Sequence, residues 1–272
     1  MAKLPAAVAA SVARRAFSPF ERHGIDHLSA SSLNAWIAEP AFWVMSYLLN
    51  ARPPVGCAAH RGTAAEAGIS HGLFNPAASV TDCAILAMAK FDELAAGSAD
   101  PKRDEERGNV AGMVREGLAV LRPYGVPTRP DDMHQHRVEI RLDGVPVPII
   151  GFLDFEWSRD GQLVDTKTTK RVPSSFDSGA HLRQGAIYQH ARPNSAVRFA
   201  YLSDKKSAVH TLEPDAYRQA MRELEQAGRR LAKFLALSTD AHELAAMVTP
   251  NFDDFRWNDA EALRLRRQYF GA

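Results

Sequence analysis

In the stretch Gly151-Phe-Leu-Asp154-Phe-Glu-Trp157 a carboxylate sits inside an apolar run, and Asp165 and Lys167 follow across the turn Ser158-Arg159-Asp160-Gly161. An unpaired charge is costly to bury, so an aspartate in such a run needs a partner or a function. Two carboxylates and an ammonium around one point make the donor set of a hard divalent cation with a positive neighbour. Magnesium takes oxygen ligands, using one or two protein carboxylates with water and substrate phosphate. The carbonyl of Thr166 adds a further oxygen. An Asp-x-Lys by itself is more often a solvated or salt-bridged strand face; its position directly across a tight turn from Asp154 is what favours chemistry here.

The elements that must position these groups can be read outward from the turn. Val147 to Trp157 is rich in Ile, Val, Phe and Trp and predicts a strand, and Asp160-Gly161 between two apolar runs signals a hairpin. On the second strand, Leu163, Asp165, Lys167 and Thr169 share a face because strand side chains alternate. His136 to Leu142 alternates Val138, Ile140 and Leu142 with Glu139 and Arg141 and predicts the first core strand. Upstream, serines before Leu33 and Trp36 predict a capped helix ended or kinked by Pro40. A second helix is expected from Gly62 to His71, and two more over Thr81–Ala96 and Glu105–Leu121. Asp104, Glu105 and Glu106 are read as an acidic helix start with no chemistry. After the hairpin come a helix from Ser178 to His190, strands over Ala196–Leu202 and Ala208–Leu212, an amphipathic helix from Asp215 to Leu237 behind Pro214, and a short basic helix from Asn258 to Phe270.

Gly-x-x-Asp154 followed by Asp165-x-Lys167-Thr resembles the PD-(D/E)XK nuclease superfamily, in its RecB-like and phage-exonuclease branch. Arg61-Gly62-Thr63-Ala64-Ala65-Glu66 resembles the helix that precedes the metal strands in that branch, with Glu66 at the metal-binding position often held by histidine. Gln184-x-x-x-Tyr188 resembles its additional motif. The resemblance implies an α/β, restriction-endonuclease-like core with a mixed sheet flanked by helices over about residues 29–213. It implies Glu66, Asp154, Asp165 and Thr166 as metal ligands for Mg²⁺ or Mn²⁺, Lys167 orienting the attacking water, and Gln184 and Tyr188 positioning the DNA strand. Arg61, Thr168, Lys170, Lys205 and Lys206 are the expected DNA contacts. The implied activity is a deoxyribonuclease, an exonuclease of phage or bacterial DNA recombination or repair, with DNA as partner; a single-strand annealing or recombination partner protein and a homo-oligomer are compatible with it. An endonuclease of the same fold and a noncatalytic DNA-binding scaffold stay open as alternatives.

Composition narrows the rest. The 272 residues are 46% hydrophobic and 24% charged with a net charge of +1, which is ordinary for a globular protein, so any DNA binding must come from a local patch. Two cysteines, Cys57 and Cys83, are too few for a four-thiolate cluster, so no iron–sulfur cluster is expected, nor a zinc site or disulfide framework. No apolar run approaches the roughly 18 residues of a membrane span, and a cytoplasmic setting is expected. Residues 1–28 read as a loose tail and 29–272 as a single domain, divided into an N-terminal helical part (29–122), a metal core (132–213) and C-terminal helices (214–272). A phosphate-binding loop, a nucleotide fingerprint and a zinc-protease helix are missing; His242-Glu243 lacks the second histidine.

Overall fold

The computed structural model describes residues 17–130 and 135–271. In chain order the helices and strands are α1 (Pro19–Arg22), α2 (Ala30–Ala38), α3 (Pro40–Trp43), α4 (Cys57–Phe74), α5 (Val80–Leu94), α6 (Arg103–Leu121), β1 (His136–Ile140), β2 (Ile149–Leu153), β3 (Phe155–Trp157), β4 (Gln162–Thr168), α7 (Gly179–Ala191), β5 (Ala196–Leu202), β6 (Ser207–Thr211), α8 (Pro214–Leu235), α9 (Ala241–Ala245) and α10 (Ala260–Phe270). The first sixteen residues of the expected tail lie outside the described residues. Within its remainder Phe20 is buried and Leu28 bridges to Ile149.

Local chemistry accounts for the element ends. The Ser29 hydroxyl accepts from the Ser32 amide, and Pro40 separates α2 from α3, which continues into a π-helical turn over 44–48. Helix α4 begins five residues earlier than expected because its first amide, that of Cys57, finds a distant cap in the Asp100 carboxylate at 3.0 Å. Pro214 opens α8 as expected, and Leu224, Leu231 and Leu235 form its buried stripe.

A four-stranded sheet runs β3-β4-β5-β6, with β4 and β5 parallel and the other pairs antiparallel; β1 and β2 form a separate antiparallel pair. The parallel pair needs a crossover, which α7 supplies. Alternation along the strands separates two cores. Leu163, Val197, Phe199 and Tyr201 pack with α2, α7 and α8, while Val164, Ala200 and Leu202 pack with α4, α5 and α6. This is the mixed sheet flanked by helices that the sequence predicted.

One expectation is corrected. The strand predicted over Val147–Trp157 is broken at Asp154: β2 ends at Leu153 and pairs with β1, and β3 starts at Phe155 and pairs with β4. The turn is where Asp160-Gly161 put it, with Gly161 at φ +59°, a conformation that favours glycine.

Candidate active site

The break is what presents the first carboxylate. The register pairing Phe155 with Val164 sets Asp154 opposite Asp165 just before β3 starts, so the Thr166 amide of β4 has no β3 partner on that side. Asp154 takes it: its Oδ2 accepts from the Thr166 amide at 2.8 Å and from the Thr166 hydroxyl at 2.7 Å. Asp154 is therefore the residue that ends one sheet and completes the edge of the other.

Asp165, 2% exposed, is held from the α7 side. Gln184 donates to its Oδ2 at 3.1 Å and to the Tyr188 hydroxyl at 2.7 Å. The Tyr188 hydroxyl lies 2.6 Å from the Phe152 carbonyl and 3.1 Å from the same Asp165 oxygen, so its one hydrogen is divided between two acceptors. Tyr188 is buried, and burial followed by the Asp165 charge pushes its phenol far above the usual range. Both residues of the Gln-x-x-x-Tyr pair thus bond to the Asp165 carboxylate of β4. Lys167 Nζ stands 2.5 Å from Asp165 Oδ1 as an ion pair, and that oxygen has no aligned hydrogen-bond donor. Burial alone would lower the Lys167 ammonium, but Asp165, then Asp154 and Glu66, outweigh it and hold it above the ordinary lysine value.

Glu66 reaches the same place from α4. Its Oε1 accepts from Gln135 Nε2 at 2.8 Å, and the same nitrogen donates to Asp154 Oδ1 at 2.8 Å. Burial, chiefly, with the Asp165 charge raises Glu66 to about 7, against a Gln135 hydrogen bond and Lys167 that pull it down. Asp154 is raised well above the usual carboxylate value by burial, then by Asp165 and Glu66. Three carboxylates in one desolvated cleft cannot all ionise cheaply, and a bound cation is what would let them.

A sequence profile of the PD-(D/E)XK nuclease superfamily matches residues 27–257. The chain belongs to the PD-(D/E)XK nuclease superfamily. Membership implies metal-dependent nuclease chemistry, and PD-(D/E)XK nucleases generally use divalent ions such as Mg²⁺ or Mn²⁺. No curated protein matches the chain. The solved structure described as "Crystal structure of SSO0001" is similar at 14% identity and a TM-score of 0.31, over 72% of this chain and 81% of that one, a likeness too loose to bear on the site.

The residues present fit the ion that PD-(D/E)XK nucleases use. Asp165 Oδ1 is a buried carboxylate oxygen without an aligned donor, and Glu66 Oε1 and Asp154 Oδ1 are drawn to one common nitrogen. Hard oxygens of this kind suit Mg²⁺ or Mn²⁺. Among the described residues no three His, Cys, Asp or Glu side chains are gathered tightly enough to hold an ion by themselves. The Gln135 amide stands between two of the carboxylates and Lys167 covers the third.

The expected DNA contacts divide in two. Arg61 is buried, paired with Glu106 and donating to the Thr168 carbonyl at 3.2 Å and more weakly to its hydroxyl, whereas Thr168 itself is half-buried. Lys170 is half exposed and engages Glu105 at 2.6 Å and Glu106 at 3.4 Å. Lys205 and Lys206 are exposed at the β5–β6 turn, beyond the end of β4 that carries Lys167. Sequence reasoning missed Gln135, which no motif marks, and Glu106, which was read as a helix-start charge. His181 Nδ1 lies 2.7 Å from the Tyr201 hydroxyl, its ring stacks on Phe199, and burial followed by Lys167 lowers it to about 4, so it is neutral at pH 7. Lys167 also lies over the Phe199 ring at 5.5 Å, so this aromatic group forms the floor beneath the ammonium.

Proposed function

We propose that this PD-(D/E)XK nuclease is an exonuclease that hydrolyses DNA phosphodiesters, with Glu66, Asp154, Asp165 and the Thr166 carbonyl as the ligands of Mg²⁺ or Mn²⁺. The observation that carries the catalytic reading is the cleft itself, where two buried aspartates, one in the β2–β3 break and one on β4, meet a helix glutamate and a half-buried lysine. When bound, such an ion supplies Lewis acidity at the phosphate and makes water a stronger nucleophile near neutral pH. Lys167, kept charged by Asp165, places a fixed positive group beside the reacting phosphate and orients the attacking water. Gln184 and Tyr188 hold Asp165 in its rotamer, and Thr166 holds Asp154.

The depth of the cleft supports a requirement for a free end. Asp154 is 8% and Asp165 2% exposed. A stiff duplex presents its phosphates on the outside of a rod, whereas a frayed end or single strand can bend into a groove. The recombination or repair setting follows from the resemblance to phage-type and RecB-like exonucleases. Incubation with Mn²⁺ and equal masses of linear, nicked and closed circular DNA tests the proposal, with Asp165→Asn as the control. Acid-soluble nucleotides are expected from the linear form and none from closed circles, and Asp165→Asn abolishes release while leaving DNA binding within about tenfold, because a ligand's charge is lost and the DNA-facing surface is not. Discrete fragments from closed circles would make the enzyme an endonuclease; full activity of the variant would remove the metal assignment.

A further inference from the structure

Gln135 lies between the described start of β1 and the two carboxylates it bonds, and no motif accounts for it. Its amide nitrogen has two hydrogens and gives one to Glu66 Oε1 and one to Asp154 Oδ1, each at 2.8 Å. Those acceptors come from distant parts of the chain, α4 and the β2–β3 break. Among the described residues, this nitrogen supplies the one side-chain hydrogen bond to the Glu66 carboxylate. We infer that Gln135 is a positioning residue, which holds Glu66 and Asp154 ready for the divalent ion in the ion-free protein and is displaced from between them when the ion binds. This rests on the metal-site reading above.

The residue type fits the task. An amide nitrogen is a donor with no lone pair to offer a cation, and while it bonds both oxygens it occupies the place between them from which an ion would contact both. A lysine or arginine here would neutralise the carboxylates and compete with the ion by charge; a fourth carboxylate would add repulsion to a cleft that already holds three. A neutral side chain with two donors satisfies both oxygens and leaves without moving a charge. Its several rotatable bonds allow the departure while β1 stays paired with β2.

Thermal unfolding of the wild type and of Gln135→Met, which keeps the length and loses the donors, tests this in EDTA and in saturating Mg²⁺. The variant is expected to melt a few degrees below the wild type in EDTA and together with it in Mg²⁺, and the Gln135 side-chain amide signals in a ¹⁵N spectrum of the wild type are expected to shift on Mg²⁺ addition. A deficit of equal size in both buffers would make Gln135 a permanent structural bond, and no deficit in either would mean that it holds nothing; both outcomes overturn the inference. Gln135→Glu serves if the methionine variant does not fold. A fourth carboxylate in the cleft should enlarge the Mg²⁺-induced rise in melting temperature beyond that of the wild type, and an equal rise would count against displacement. If Mg²⁺ and Mn²⁺ leave the wild-type melting temperature unmoved, the ion site itself fails and this inference falls with it, whereas a wild-type rise without the variant pattern removes the inference alone.

Discussion

A buried carboxylate is tolerated only when something answers its charge, and the three in this cleft are answered differently. Asp154 receives Thr166 and Gln135, Asp165 receives Gln184, Tyr188 and Lys167, and Glu66, among the described residues, receives a side-chain hydrogen bond from Gln135. Burial, then the Asp165 charge, raises Glu66 to about 7 from an ordinary 4.5. In the folded protein it therefore holds its proton more tightly than in the unfolded chain, and between those two values the folded state binds more protons. Its contribution to stability is full below pH 4.5 and is lost as pH rises through about 7. Urea midpoints in EDTA should fall across that window, and Glu66→Gln should flatten the fall; Asp154, shifted the same way, keeps part of it. An unaltered slope in the variant would mean that Glu66 titrates as an ordinary surface glutamate.

At the scale of elements, the site depends on how α4 is docked. Arg61, one turn before Glu66, is buried with Glu106 of α6 and reaches the Thr168 carbonyl at the end of β4, so one guanidinium ties two helices to that strand. Close packing assists: a Cβ on Gly68 would come within 2.7 Å of the Cys83 carbonyl of α5. Removing one partner of a buried pair strands the other charge, so Glu106→Ala should cost about 3–5 kcal/mol in chemical denaturation. Replacing both Arg61 and Glu106 with apolar residues of similar volume should cost less than the single change. A single variant as stable as the wild type would show that the pair does not hold α4.

Over the whole molecule, a net charge of +1 leaves DNA attraction to local groups. Arg61 is spent inside and Lys170 is engaged by acidic neighbours, which leaves the exposed lysines at the β5–β6 turn as the expected phosphate contacts nearest the strand end that carries Lys167. Lys205→Gln with Lys206→Gln should weaken single-strand binding and reduce the slope of log affinity against log salt by about 1.4, which is about 0.7 for each phosphate no longer neutralised. Fluorescence anisotropy across a salt series measures it. An unchanged slope would return both lysines to a solvated turn. No helix among the described residues is long and apolar enough to cross a membrane.

The period-two alternation of β4 and the Asp160-Gly161 turn are local properties, set by strand geometry and by glycine's access to positive φ, and they already placed Asp165 and Lys167 on one face. The helical stripes of α2 and α8, the Ser29 cap of α2 and the Pro214 start of α8 are local in the same sense. Motif order likewise brought Glu66, Gln184 and Tyr188 forward. What the sequence could not show is the break at Asp154, because Phe155 and Leu153 suit a continuous strand equally well; the break follows from β2 pairing with β1 while β3 pairs with β4. Nor could it show that Gln135 meets Glu66 across 69 residues, or that Arg61 meets Glu106 across 45. Those pairings exist only once α4 has docked against α6 and the sheet edge, and docking is decided by the burial of Gly68, Val114 and their neighbours between helices, a sum over distant residues that no local pattern encodes.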